Sequence, residues 1–168
     1  IDAAHERKIP VIYSTNARRP DNWDAGSWAW KNSRNAEDAT TRQNNNIDGN
    51  MIIAELAPQP QDIVIYKHKP SAFFGTPLVG FLTDLGCDSV LVTGTTTSGC
   101  VRATVLDAFS HNFRVAVAEE GCFDRSQASH AMSLCDLHAK YADVVSAQNM
   151  LDYVKALPGG LFSNLPHG

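Results

Sequence analysis

Ser89-Val90-Leu91-Val92-Thr93-Gly94-Thr95-Thr96-Thr97-Ser98-Gly99-Cys100-Val101-Arg102 is the stretch from which the fold is read. Its first six residues form a continuous apolar run of the kind found in strands buried on both faces of a parallel sheet. Small and hydroxyl residues then make a turn, and a helix is predicted from Cys100 to about Ser110. Val101, Val105, Ala108 and Phe109 recur at helical spacing on its expected buried face. A strand that passes through a short turn into a helix is half of a βαβ unit. In open sheets built from such units, ligands sit beyond the carboxyl ends of the strands, which is where Cys100 falls.

The pattern repeats on both sides. Upstream, Ile9 to Thr15 and Asp62 to Lys67 read as strands, and a helix is expected from Pro77 to Leu85 with Gly86 closing it. Ile1 to Lys8 reads as the last turns of another helix. Downstream, Phe113 to Ala118 is a strand. Residues 126 to 141 are a helix with Ala131, Leu134, Cys135 and His138 on one face. Ala142 to Ser146 is a short strand and Ala147 to Leu157 a final helix, before a loop tail from Pro158 to Gly168. Alternating strands and helices imply right-handed crossovers and a parallel α/β sheet, in one domain spanning residues 1–168. Residues 16–50 are polar, carry Trp23, Trp28 and Trp30, and read as a lid, a subunit contact or an ordinary packed excursion.

Composition narrows the function classes. With 168 residues, 43% of them hydrophobic, the chain can bury a full core. No apolar run approaches the ~18 residues of a membrane span, so no membrane partner is expected. The net charge of -4 argues against a nucleic-acid partner, which calls for a basic face. Arg18, Arg19, Lys31, Arg34 and Arg42 are interleaved with Asp21, Asp24, Glu37 and Asp38, a mixed solvated surface. Cys87, Cys100, Cys122 and Cys135 form no C-x-x-C pair, which fits free thiols in a reducing, cytoplasmic setting.

Two residues carry chemistry at the expected ligand edge. Helix N-termini favour thiolates and present unpartnered N–H groups to an oxyanion, so Cys100 is a candidate nucleophile. Gly99 keeps the turn free of a side chain that would crowd a substrate, and Lys67 at a neighbouring strand end adds positive charge. On spacing alone the alternatives stay open: an inert core cysteine and a surface lysine.

Lys67-His68-Lys69-Pro70-Ser71-Ala72-Phe73 resembles the K-x-x-x-S-A-F segment of the isochorismatase-like cysteine hydrolases. Thr93 to Arg102 resembles their nucleophile turn, in the variant of the N-carbamoylsarcosine amidase and maleamate amidohydrolase branch, and Asp124-Arg125 is similar to the same branch. The resemblance implies a three-layer, Rossmann-type α/β/α domain. It also implies a Cys-Lys-Asp triad with Cys100 as nucleophile and Lys67 as the triad lysine. A cis peptide at Thr95–Thr96 would aim the N–H groups of Thr96 and Cys100 at the oxyanion. Arg125 would grip a substrate carboxylate, the alternative being an ion pair with Asp124 or another acid. The implied reaction releases ammonia from a small carboxylate-bearing amide through a thioester, in a homo-oligomer, dimeric or tetrameric.

The departures from that pattern matter too. The family aspartate lies at the end of a first strand that would precede Ile1, and Asp2, Asp21 and Asp24 are poor substitutes. The chain is therefore expected to be a fragment lacking a central strand, with neighbouring strands left unpaired and with stability and activity impaired. No cofactor is expected. No metal is expected either, since no histidine lies between His5 and His68 and His111, His130 and His138 lack a ligand spacing. His130 lies near Arg125, as a helix-surface residue or a substrate contact. The rival readings are a vinyl-ether hydrolase of isochorismatase type and an inactive binding or assembly subunit.

Overall fold

β-branched and aliphatic runs set five parallel strands, and the computed structural model describes them within residues 1–17, 19, 21, 23–34 and 50–162. In chain order the elements are α1 (Asp2–Glu6), β1 (Ile12–Asn16), α2 (Ser27–Arg34), β2 (Ile63–Lys67), α3 (Leu78–Asp84), β3 (Ser89–Thr95), α4 (Arg102–Ser110), β4 (Arg114–Phe123), α5 (Gln127–Lys140), β5 (Asp143–Val145) and α6 (Ala147–Ala156). Short 3-10 turns cover Trp23–Ala25 and Ala54–Leu56, and a π turn covers Thr97–Val101.

All pairings are parallel, as the strand–helix alternation predicts. β1 pairs with β2, bringing Asn16 opposite Lys67. β3 pairs with β4, and β4 with β5. Among the described residues these form two ladders, β1-β2 and β3-β4-β5. One apolar core serves both: Ile65 of β2 and Leu78 and Leu82 of α3 cluster with Val105 and Ala108 of α4, Val115 and Val117 of β4 and Leu137 of α5. Val105, Val117 and Leu137 have no exposed surface, and each such burial stabilises the fold by roughly 1.5–3 kcal/mol.

Helix ends follow local chemistry. Gly86, at φ +67°, ends α3. Its N–H reaches Thr83 O at 3.0 Å and that of Cys87 reaches Leu82 O at 2.9 Å, the paired bonds of a Schellman cap. The side chains of Ser126 and Ser146 cap α5 and α6 by accepting from Ser129 N and Asn149 N.

The structure corrects five readings. The buried stripe of α5 is Ser133, Leu134 and Leu137, whereas Ala131, Cys135 and His138 are exposed. Phe109 is 48% exposed and lies edge-on to Tyr141, with ring centroids 5.4 Å apart, outside the core stripe of α4. β3 is not buried on both faces, since Leu91 is 39% exposed, and β3 is bonded only to β4 among the described residues. β4 runs five residues past Ala118, to Phe123, after a register shift between Val92 and Gly94. The 16–50 segment, for which no regular element is predicted, holds a helix, α2. Residues 35–49 of that segment, with Glu37, Asp38 and Arg42, lie outside the described residues, as do Arg18 and 163–168 of the tail.

Candidate active site

The carboxyl ends of β2 and β3 meet at Lys67 and the π turn. Lys67 ends β2 and is 3% exposed. A buried ammonium is costly unless its donors are matched. Here its three N–H donors meet three acceptors: Asn16 Oδ1 at 3.0 Å, Lys69 O at 3.1 Å and Cys100 Sγ at 3.4 Å. Trp28 of α2 lies over the same nitrogen, 5.2 Å from the ring centroid, a cation–π contact. The structure thus brings together the two residues that the sequence singles out, and Lys67 is no surface lysine.

Cys100 sits half-buried in the π turn that precedes α4, two residues before the regular helix begins at Arg102. π turns recur at functional sites. The Thr95–Thr96 peptide is cis, and Thr95, the last residue of β3, pairs in register with Phe123. Thr96 O accepts from Gly99 N at 3.0 Å and Val101 N at 3.2 Å. Ser98 N donates to Asp124 Oδ2 at 2.7 Å. The expectation that the turn's N–H groups lack partners is therefore corrected for Ser98, Gly99 and Val101, because the π turn and Asp124 occupy them. A Cβ on Gly99 would stand 2.5 Å from Thr96 Oγ1, so what this glycine spares is first of all the turn itself.

Asp124 takes four hydrogen bonds. Burial pushes its carboxyl up, but bonds from the Ser98 hydroxyl and from the N–H groups of Ser98, Arg125 and Ser126 outweigh that and hold it below the usual carboxylate range. Arg125 makes no ion pair with Asp124. Its backbone N–H bonds Asp124 Oδ1 at 2.7 Å, and its exposed guanidinium has no ion-pair partner among the described residues. His130 is not a surface histidine: its Nδ1 lies 2.8 Å from the hydroxyl of Thr97, which has no exposed surface.

Among the described residues no carboxylate bonds Lys67 or Cys100. Asp21 pairs with Arg19 at 2.8 Å, and Asp24 accepts from Arg19 N and lies 3.3 Å from His68 Nδ1. No group of three or more His, Cys, Asp or Glu among the described residues is arranged to hold a metal ion. No helix among them is long and apolar enough to cross a membrane. Sequence reasoning missed Asn16 and Asp124 as site residues. Aligning the ends of β1 and β2 would have found Asn16, whereas nothing local marks Asp124 as the partner of Ser98.

The Isochorismatase domain family matches residues 1–149. Over 116 residues the chain is 39% identical to maleamate amidohydrolase of Pseudomonas putida, covering 67% of this chain and 54% of that protein. Over 166 residues it is 36% identical to N-carbamoylsarcosine amidase of an Arthrobacter species, covering 94% of this chain and 59% of that protein. The chain thus spans little more than half the length of these two relatives. The crystal structure of N-carbamoylsarcosine amidase from Thermoplasma acidophilum superposes with a TM-score of 0.66 at 27% identity, covering 86% of this chain and 76% of that one.

Proposed function

The chain belongs to the isochorismatase family, and we propose that it carries the nucleophile and the lysine of a cysteine amidohydrolase acting on a small carboxylate-bearing amide. The observation that carries this reading is the contact of Lys67 Nζ with Cys100 Sγ at 3.4 Å. That contact sets a hydrogen-bond donor against the sulfur at the carboxyl end of β2. The Cys100 thiolate attacks the amide carbonyl carbon, and the C–N bond of the tetrahedral intermediate breaks. The leaving nitrogen takes up a proton and departs as ammonia, and water hydrolyses the remaining thioester. By the resemblance of the Thr93–Arg102 stretch to the family's nucleophile turn, the N–H groups of Thr96 and Cys100 are the assigned oxyanion donors.

Arg125, exposed and unpaired among the described residues, is assigned to the substrate carboxylate. Maleamate and N-carbamoylsarcosine, on which the relatives' names bear, both carry one. A vinyl-ether hydrolase needs no thiol and would leave the Lys67–Cys100 contact without a task. Trp28, placed over Lys67, supports the lid reading of the 16–50 segment. The four free cysteines fit a reducing, cytoplasmic compartment. The test is ammonia release from maleamate, N-carbamoylsarcosine and nicotinamide by the full natural protein. Release from a carboxylate-bearing amide, with a raised KM in Arg125→Lys, supports the assignment. Release from nicotinamide alone, or from none of the three by a folded protein, would overturn it.

A further inference from the structure

The π turn that carries Cys100 is tied at two consecutive residues to one short segment of chain. Thr97 Oγ1 lies 2.8 Å from His130 Nδ1. Ser98 gives both its N–H and its hydroxyl to Asp124 Oδ2, at 2.7 and 2.6 Å. Asp124 directly follows β4 and His130 lies in the first turn of α5, so the clamp is the β4–α5 connection. Its own geometry is fixed from within: Arg125 N donates to Asp124 Oδ1 at 2.7 Å, His130 N donates to Ser126 O at 2.9 Å, and Ser126 caps α5. Thr97 is fully buried and Val101 is 4% exposed, so the turn is held by burial as well as by polar bonds. Gly99, which follows the clamped pair, supplies no side chain to hold the backbone, and Cys100 comes next.

We propose that Asp124 and His130 are positioning residues that hold Thr97 and Ser98, and through them set the approach of Cys100 Sγ to a carbonyl carbon. The inference rests on the reading of Cys100 as the nucleophile. Neither residue touches the sulfur. Each removes a rotation from the two residues before Gly99, and a displacement of the nucleophile by about 1 Å can cost on the order of 100-fold in rate.

The test uses the full natural chain and two readouts. One is the rate of Cys100 alkylation by iodoacetamide as a function of pH, followed by mass spectrometry. The other is kcat against KM for whichever amide is hydrolysed. Asp124→Asn and Thr97→Val are expected to lower the high-pH plateau of alkylation several-fold, and kcat by about tenfold with KM within about twofold of the parent. Thr97→Ser, which keeps the hydroxyl, is expected to restore both. Thermal unfolding identifies variants that fold, and because Asp124 is not part of the core its variant keeps the test decisive if Thr97→Val does not fold. A folded Asp124→Asn with a parental plateau and kcat overturns the proposal. So does an unchanged plateau with a shifted pH midpoint, which would show that Asp124 acts only through its charge. Alkylation needs no substrate, so a failure of the amidase reading leaves this outcome separately readable.

Discussion

Asn16 and Lys67 are partners twice over: they occupy facing register positions at the ends of β1 and β2, and the Asn16 carboxamide oxygen accepts from Lys67 Nζ at 3.0 Å. Parallel pairing brings two strand ends to one edge, and the hydrogen bond uses that proximity to aim the ammonium. Asn16→Ala is expected to leave one of Lys67's three donors without an acceptor, at a cost of about 1–3 kcal/mol for a buried group. The measurement is thermal unfolding together with kcat. A lowered melting temperature and a fall in kcat of about tenfold are expected, and a parental kcat would show that Lys67 is positioned without Asn16.

Glycines in the chain separate by what a methyl group would meet. Gly99→Ala sets a Cβ 2.5 Å from Thr96 Oγ1, an overpacking that costs about 1–3 kcal/mol and displaces the nucleophile turn. Gly80, inside α3, has nothing within 4 Å of its Cβ position, and Gly80→Ala is expected to stabilise the helix by roughly 0.5–1 kcal/mol. Paired melting curves and activity assays check both. Loss of activity in Gly99→Ala with retention in Gly80→Ala is the predicted outcome.

Asp124 ties stability to acid pH. Its carboxyl is held below the ordinary range by the Ser98, Arg125 and Ser126 bonds, against the opposing effect of burial. A lowered folded-state value contributes stability that is present above the unfolded value of about 4 and is lost as pH falls through the folded value. The stability advantage of the parent over Asp124→Asn should therefore hold constant from pH 7 to about 5 and shrink below about 4. Denaturant titrations across that range check it, and an advantage that grows on acidification contradicts it.

The cysteines should label in a set order. Burial pushes the thiols of Cys87 and Cys122 up, in Cys87 with help from Asp88 and in Cys122 against a bond from Gly94. Both should react slowly with a maleimide at neutral pH. Cys135 is exposed and should react readily, and Cys100, beside the Lys67 ammonium, should react with it. Peptide mapping after a short pulse reads the order. Cys122 labelling ahead of Cys100 would contradict the site geometry.

Much of this architecture was legible in the sequence because it is local. The apolar runs of β2 and β3, the Gly86 cap and the strand–turn–helix around Cys100 each follow from residues within a few positions of one another. The nearness of Lys67 and Cys100 follows from their places at neighbouring strand ends, whereas the Thr95–Thr96 cis peptide comes from resemblance to a known family; the structure shows the contact and the cis bond. What the sequence hid is long-range. The face of α5 was misjudged because Ala131 and Cys135 are apolar enough to suggest a core stripe, while the stripe in fact runs through the small polar Ser133. The extension of β4 to Phe123 goes through Glu119, Glu120 and Gly121, residues that look like a turn. Asp124 and Ser98 are 26 residues apart, and no periodicity connects them.

Nucleophilic catalysis by Cys100 requires a covalent bond between its sulfur and the acyl group of the substrate. The direct measurement is intact-mass analysis of the full natural protein, acid-quenched during turnover of a carboxylate-bearing amide, beside Cys100→Ala. The prediction is an adduct on Cys100 equal to the substrate less ammonia, with neither adduct nor ammonia release in Cys100→Ala. Ammonia release that persists in Cys100→Ala would contradict it.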